Sequence, residues 1–86
     1  MMENYKIEIK KSAAKELSKL PKKELTKIID KIQLLSDEPR PSGCKKLSGE
    51  EKYRIRSGNY RILYSIEDDV LIVYVVKVGH RKEVYN

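Results

Sequence analysis

Hydrophobic and polar residues alternate near the start of the chain. Tyr5, Ile7 and Ile9 are separated by single charged residues, which is the period-2 pattern of a strand with one buried face. The pattern predicts a first strand at about residues 4–10. Ser12 follows as a candidate helix N-cap, because its hydroxyl can accept a hydrogen bond from a free backbone N–H.

A helical hairpin is predicted over residues 12–36. Apolar residues first recur at helical spacing up to Leu20. Pro21 then ends this short helix and suits the first turn of a second one, where the missing N–H has no intrahelical partner to lose. The second helix carries an apolar stripe that is expected to face the core, formed by Leu25, Ile28, Ile29, Ile32 and Leu35.

The second half of the chain predicts an irregular loop and then three strands. Proline, glycine and serine favour an irregular basic loop over residues 36–49. Alternation around Tyr53 and again from Tyr60 to Ile66 predicts two strands, and Gly58-Asn59 between them is a hairpin-turn signal. After a second turn at residues 67–69, the apolar run Val70–Val78 predicts a central strand covered on both faces.

The order strand, helix, helix, strand, strand, strand predicts an α+β fold. A two-helix hairpin would pack on one face of a four-stranded, mostly antiparallel sheet. Eighty-six residues are enough for one hydrophobic core, so residues 1–86 are predicted to form a single domain. If the apolar strand residues face the helices, the period of two sends a set of cations to the opposite face: Lys52, Arg54, Arg56, Arg61 and Lys77.

Charge is concentrated in the middle of the chain. The formal net charge is +6, and residues 39–66 carry seven Lys or Arg against two Glu. Such a segment attracts phosphate backbones. The longest apolar run is far too short to span a bilayer, and a lone cysteine fits a reducing cytosol, so we expect a cytoplasmic protein without a membrane partner. No metal-ligand cluster and no glycine-rich phosphate loop is present in the sequence, so we expect neither metal nor cofactor.

The candidate chemistry is metal-free RNA cleavage. RNA carries its own nucleophile, the 2′-hydroxyl, and arginine donates paired hydrogen bonds to phosphate oxygens. Arg54, Arg56 and Arg61 would converge on one surface although like charges repel, which favours an anionic ligand over an ordinary solvated face. His80 could exchange protons near neutrality, or it could be a plain turn residue. Tyr85 could stack on a base or move a proton, or it could simply pack.

Four ordered fragments closely resemble the RelE branch of the RelE/ParE toxin superfamily. Each fragment alone is weak evidence, but the set in this order covers nearly the whole chain. The fragments are AKELSKLP at residues 14–21, KLSG at 46–49, YRIRSGNYRILY at 53–64 and VGHRKEVY at 78–85.

The resemblance implies a ribosome-dependent endoribonuclease that cuts mRNA in the decoding site. In the family, basic residues at the positions of Arg54 and Arg56 bind phosphate and assist proton abstraction. The residue matching Arg61 stabilises the transition state, the one matching Arg81 assists the leaving group, and the one matching Tyr85 stacks on a base. The resemblance further implies RNA backbone contacts from Lys46 and Lys52. Strand alternation adds Lys77, and the basic tail adds Lys82, as candidate RNA-binding residues.

Family resemblance also implies partners. These are the ribosome and mRNA, a RelB-like antitoxin that wraps the toxin, and operator DNA bound through the toxin–antitoxin complex. Two other functions remain open at this point. One is a ParE-like toxin that inhibits gyrase without cutting RNA, and the other is a non-catalytic nucleic-acid-binding module.

The sequence departs from the family pattern at one place. Lysine is typical where Arg54 and Arg56 stand, and arginine, with a pKa above ~12, is a poor general base. Either the cations act purely electrostatically, or His80 or Tyr85 takes the proton.

Overall fold

Two helices cover one face of a five-stranded sheet in the computed structural model, which describes residues 4–47 and 52–80. The α+β class and the helical hairpin are confirmed, whereas the prediction of four strands is wrong by one. The elements are β1 (Lys6–Ile9), α1 (Lys11–Ser18), α2 (Lys22–Leu34), β2 (Lys45–Lys46), β3 (Lys52–Ser57), β4 (Tyr60–Glu67) and β5 (Ile72–His80).

The additional strand, β2, lies inside the segment that was predicted to be an irregular loop. It pairs antiparallel with β3, so that Lys45 is opposite Arg54 and Lys46 is opposite Tyr53. A strand of two residues is too short to show a period of two, and it exists only because β3 offers an edge to pair with. The loop prediction was therefore wrong here for a non-local reason.

The sheet has the order β1-β5-β4-β3-β2. β1 runs parallel to β5, and the other neighbours are antiparallel, which confirms a mostly antiparallel sheet. β5 is an interior strand, as predicted, and its fully buried side chains, those of Val73, Val75 and Val78, face the helices. On its other face Tyr74 is half-buried and Lys77 is exposed, so the prediction of cover on both faces is wrong.

The core lies between the helices and the sheet. The predicted stripe of α2 faces it, with Ile28, Ile32 and Leu35 fully buried and the other two members packed at its margin. The fully buried sheet residues are Ile62, Tyr64, Val73, Val75 and Val78. Alternation in β3 and β4 therefore places their apolar residues against the helices.

Two predicted element ends are corrected. α1 begins at Lys11 with Lys10 as its N-cap and no side-chain capping bond, so Ser12 lies in the first turn and does not cap the helix. The last strand begins at Ile72, later than predicted. Val70 is 60% exposed and Leu71 has a φ of 55°, the left-handed conformation typical of a turn.

A β-bulge in β5 reverses the faces of its last residues. Leu63 is opposite Lys77, but the next residue, Tyr64, is opposite Val75, so that Val76 has no counterpart in β4. Val75 and Val78 both face the helices as a result, and Lys77 turns to the other side. β5 continues to His80, which is a strand residue and not a loop residue.

Candidate nucleic-acid interface

The sheet face away from the helices carries a set of basic side chains from four neighbouring strands. Strand alternation and the register of pairing place them together. We call this surface the arginine face, and its basic members are Lys45, Lys52, Arg54, Arg56, Arg61 and Lys77.

Two rows of cations cross the arginine face. Arg56 of β3 is directly opposite Arg61 of β4. In the neighbouring row, Arg54 is opposite Lys45 on one side and Leu63 on the other. Like charges directly opposite each other on a sheet destabilise it. Such pairing at two positions favours an anion as the natural occupant of this face.

Arg54 is nearly buried although it belongs to the open side of the sheet. Only 6% of its surface is exposed. Burial lowers the pKa of its guanidinium, and the charges of Arg61 and Arg56 lower that pKa further. An arginine nevertheless stays protonated in proteins. Its positive charge is therefore held away from bulk water, where attraction to a phosphate is stronger than at an exposed site.

A cleft of 310 Å³ opens beside Arg54. It is lined by Gly43, Cys44 and Lys45 on one side and by Arg54 and Arg56 of β3 on the other. Sequence reasoning had singled out Lys46 in this region and missed Lys45. No local pattern distinguishes the two lysines, because only the pairing of β2 with β3 decides which of them faces the cleft.

Of the ten predicted site residues, the structure describes seven and brings five together on one face. Lys52 and Lys77 share the arginine face with the three arginines. Lys46 is opposite Tyr53, on the helix-facing side of the sheet. Arg81, Lys82 and Tyr85 lie outside the described residues.

His80 is separated from the arginines by the sheet itself. It is opposite Tyr60 in the neighbouring strand, and the two rings meet edge to face with their centres 5.7 Å apart. Both belong to the helix-facing side, where they line a cleft together with Pro21 and Glu24 of the hairpin. The structure therefore does not support the predicted grouping of His80 with the arginines.

Arg40, another cation of the basic segment, has a structural role. Its guanidinium forms an ion pair with Asp68, with 2.9 Å between Nη2 and Oδ2, and its Nε donates to the Tyr53 hydroxyl at 3.1 Å. The Tyr5 hydroxyl also donates to Asp68, at 2.7 Å. These bonds from Arg40 and Tyr5 lower the pKa of the Asp68 carboxyl. No local sequence pattern indicates this pairing, because Arg40 and Asp68 are far apart in the chain.

The side chains that can act on a ligand at the arginine face are positively charged. Along β4, the acidic residue on the same face is Glu67, six positions from Arg61 and hence about 20 Å away. The described residues contain no group of three or more histidine, cysteine or carboxylate side chains that could hold a metal ion. None of their helices is long and apolar enough to cross a bilayer. The face can bind a phosphodiester and stabilise negative charge that develops on it.

A small α+β protein with this arrangement matches a known class of toxins. Residues 7–85 match the family model described as the ParE toxin of the type II toxin–antitoxin system, parDE. The chain therefore belongs to the RelE/ParE family of type II toxin–antitoxin toxins.

Similar proteins place the chain on the RelE side of that family. It is 33% identical to the putative toxin RelE1 of Methanocaldococcus jannaschii, over 94% of each chain. It is 30% identical to the mRNA interferase toxin RelE of Escherichia coli, over 95% of this chain and 90% of that protein. Its fold matches the toxin–antitoxin complex RelBE2 of Mycobacterium tuberculosis with a TM-score of 0.82, at 32% identity over 94% of this chain and 95% of that one. The chain is thus a RelE-type toxin.

Proposed function

We propose that this toxin is a ribosome-dependent mRNA endoribonuclease that works without a metal ion. The observation that carries the proposal is the row formed by Arg56 and Arg61, with Arg54 next to it, on an open sheet face. A relative that is 30% identical is named an mRNA interferase. The toxin acts as a single domain of residues 1–86 in the cytoplasm.

The reaction is an attack of the RNA on itself. The 2′-oxygen forms a bond to the adjacent phosphorus and loses its proton, while the bond from phosphorus to the 5′-oxygen breaks and that oxygen gains a proton. The products are a 2′,3′-cyclic phosphate and a 5′-hydroxyl. Arg61 donates to the phosphate oxygens as charge develops on them, and Arg56 holds the same phosphate from the opposite strand.

The cations act electrostatically in this proposal. Arg54 and Arg56 remain protonated and cannot accept the proton of the 2′-hydroxyl. Their charge stabilises the alkoxide, so that water can take the proton. His80 lies on the other side of the sheet and takes no part in proton transfer. By family resemblance, Arg81 assists the leaving group and Tyr85 stacks on a base.

The partners follow from the same proposal. The ribosome presents the mRNA to the arginine face, and a RelB-like antitoxin silences the toxin. A solved structure with which this chain shares 32% identity is a toxin–antitoxin complex, RelBE2. Operator DNA is bound by the pair and not by the toxin alone.

A gyrase-inhibiting toxin is the second candidate, because the matching family model is named for ParE. Arginines gathered on an open sheet face suit the binding of a phosphodiester, so Arg54, Arg56 and Arg61 favour RNA cleavage. The two functions differ in a simple readout, since one leaves mRNA intact and inhibits supercoiling while the other cuts mRNA.

The test is an mRNA cleavage assay in a translation extract, with the 5′ ends of the message mapped. We expect the wild-type protein to cut within translated codons. Arg61→Ala should reduce the rate by about 10²–10³-fold, the usual loss when one donor to the developing charge is removed. Lys23→Ala, an exposed lysine of α2, is the matched control and should cut normally. An intact message with inhibited supercoiling would establish the ParE-like function, and RNA binding without cleavage would establish a non-catalytic module.

A further inference from the structure

A second anion position lies next to the proposed site of cleavage. We propose that the cleft between residues 43–45 and β3 binds a non-scissile phosphate of the RNA, with Lys45 and Arg54 as its ligands. The inference rests on the proposed function for the identity of its ligand. It adds Lys45, a residue that neither the family resemblance nor the sequence pattern assigned.

The cleft is built from a buried and an exposed cation. Arg54 is almost completely covered and forms the inner wall, while Lys45 stands opposite it on β2 and is exposed. Among the described residues no carboxylate forms an ion pair with Lys45. Its ammonium group is thus available to an anion that enters the 310 Å³ cleft and also reaches Arg54.

This position is distinct from the one assigned to the scissile phosphate, and Arg54 lies between the two, where its charge can reach both the 2′-oxygen and the non-scissile phosphate on the 5′ side of the same ribose. Arg54 and Arg56 lie two residues apart on β3, so the row of Lys45 and Arg54 is displaced from the row of Arg56 and Arg61 by about 7 Å along the strand direction. One phosphate cannot be centred on both rows. Two phosphates of one RNA strand can occupy one row each, with the backbone crossing the sheet obliquely.

Lys46 is the matched control for Lys45. It has the same charge as Lys45, it is the next residue in the same strand, and it is also exposed. It is opposite Tyr53 and therefore belongs to the helix-facing side, so the RNA contact that the family resemblance implied for Lys46 is not part of this proposal. Removing either lysine lowers the net charge of the protein by one. Lys45, and not Lys46, lines the cleft, so a loss of RNA affinity that is specific to the cleft should appear in the Lys45 variant alone.

The test measures binding to an oligoribonucleotide with a 2′-O-methyl group at every ribose, which the toxin cannot cleave. We expect Lys45→Ala to weaken binding about two- to fivefold, the range for one exposed ion pair. Lys45→Ala should also reduce the slope of log affinity against log salt concentration by about 0.7, the value for one phosphate contact on a single strand. Lys46→Ala should leave the slope unchanged, and melting temperatures should verify that both variants are folded.

An RNA probe in which a single phosphate has been made neutral shows which phosphate Lys45 contacts. Replacing one non-scissile phosphate with a methylphosphonate should weaken binding to the wild type and to Lys46→Ala more than to Lys45→Ala, in which Arg54 is the one remaining ligand of that phosphate. Equal losses for the two lysine variants, no loss for Lys45→Ala, or no binding by the wild type would each overturn the subsite. Because the probe cannot be cut, a wild type that binds it in this way yet leaves translated mRNA intact would refute the proposed nuclease and keep the subsite.

Discussion

Arg54 stays positively charged in surroundings that lower the pKa of a basic side chain. Burial and two neighbouring guanidinium groups lower its pKa, but arginine starts from so high a pKa that it remains a cation. A lysine in the same surroundings starts lower and is more easily deprotonated. The choice of arginine here favours constant charge over acid–base chemistry.

This difference predicts the behaviour of Arg54→Lys. The variant should still cleave mRNA, and its single-turnover rate should rise with pH through the depressed pKa of the new lysine, because the neutral amine can accept the 2′-hydroxyl proton. The rate of the variant should level off above that pKa, whereas the wild-type rate should keep rising without a plateau, because the alkoxide that its cations stabilise becomes more abundant as pH rises. Parallel pH–rate profiles of the two proteins would contradict the electrostatic role of Arg54. Lys23→Arg serves as the control for the chemical difference between the two side chains.

His80 allows a second prediction at the scale of one residue. Because we expect the imidazole to take no part in proton transfer, His80→Phe should preserve the edge-to-face contact with Tyr60 and cut mRNA within about twofold of the wild type. A general base replaced by phenylalanine would instead cost about 10²–10⁴-fold. The single-turnover cleavage rate distinguishes the two roles.

At the scale of elements, the segment between α2 and β2 is tied to the sheet at several points. Arg40 bridges Asp68 and Tyr53, and its guanidinium lies over the Tyr53 ring at 5.3 Å. The Tyr64 hydroxyl donates to the Pro39 carbonyl at 2.7 Å. These contacts hold the segment that leads into β2, and so they help to place Lys45 beside the cleft.

The bonds that Asp68 accepts from Arg40 and Tyr5 predict that the stability of the fold depends on pH. The pKa of Asp68 is lower when folded than when unfolded, so its ionised form contributes stability above the unfolded pKa, and this contribution is lost as pH falls through the folded pKa. Asp68→Asn should therefore lower the melting temperature at neutral pH and make little difference in strong acid. Asp69→Asn, an exposed neighbour in the same turn, is the control and should show no such trend. A constant difference across pH would contradict the linkage.

At the scale of the whole molecule, the two faces of the sheet have separate tasks. The helix-facing residues supply nearly all of the apolar core, while the arginine face gathers charge. Neighbouring residues in one strand can therefore differ completely in what they contribute. Arg61 and Ile62 of β4 are such a pair, since Ile62 is fully buried beneath the helices.

Substituting this pair should separate stability from activity. Ile62→Ala should lower the free energy of unfolding by about 2–5 kcal/mol, because it leaves a cavity in the core, and this is a large share of the 5–15 kcal/mol that is usual for a domain. Arg61→Ala should change the free energy by about 1 kcal/mol or less, because relief of repulsion offsets lost packing, while cleavage is nearly abolished. Urea unfolding together with the cleavage assay checks both, and a large loss of stability in Arg61→Ala would contradict the division.

Local spacing alone determined the helices, the strands β1, β3 and β4, and the side of β3 and β4 on which the arginines lie. Helical and strand periods are properties of neighbouring residues, so they can be read without knowing what a segment packs against. The predicted convergence of Arg54, Arg56 and Arg61 follows from them and from one recognisable hairpin turn.

Tertiary structure alone decided the rest of the candidate site. The bulge at Val76 turns His80 away from the arginine face, and pairing with β3 creates β2 and selects Lys45 over Lys46. Lys77 does lie on the predicted face, but the bulge and not simple alternation puts it there. The pairing of Arg40 with Asp68 and the burial of Arg54 likewise depend on segments distant in the chain. Register and burial are set by which strands meet, and a period of two carries no information about a partner or about one extra residue between them.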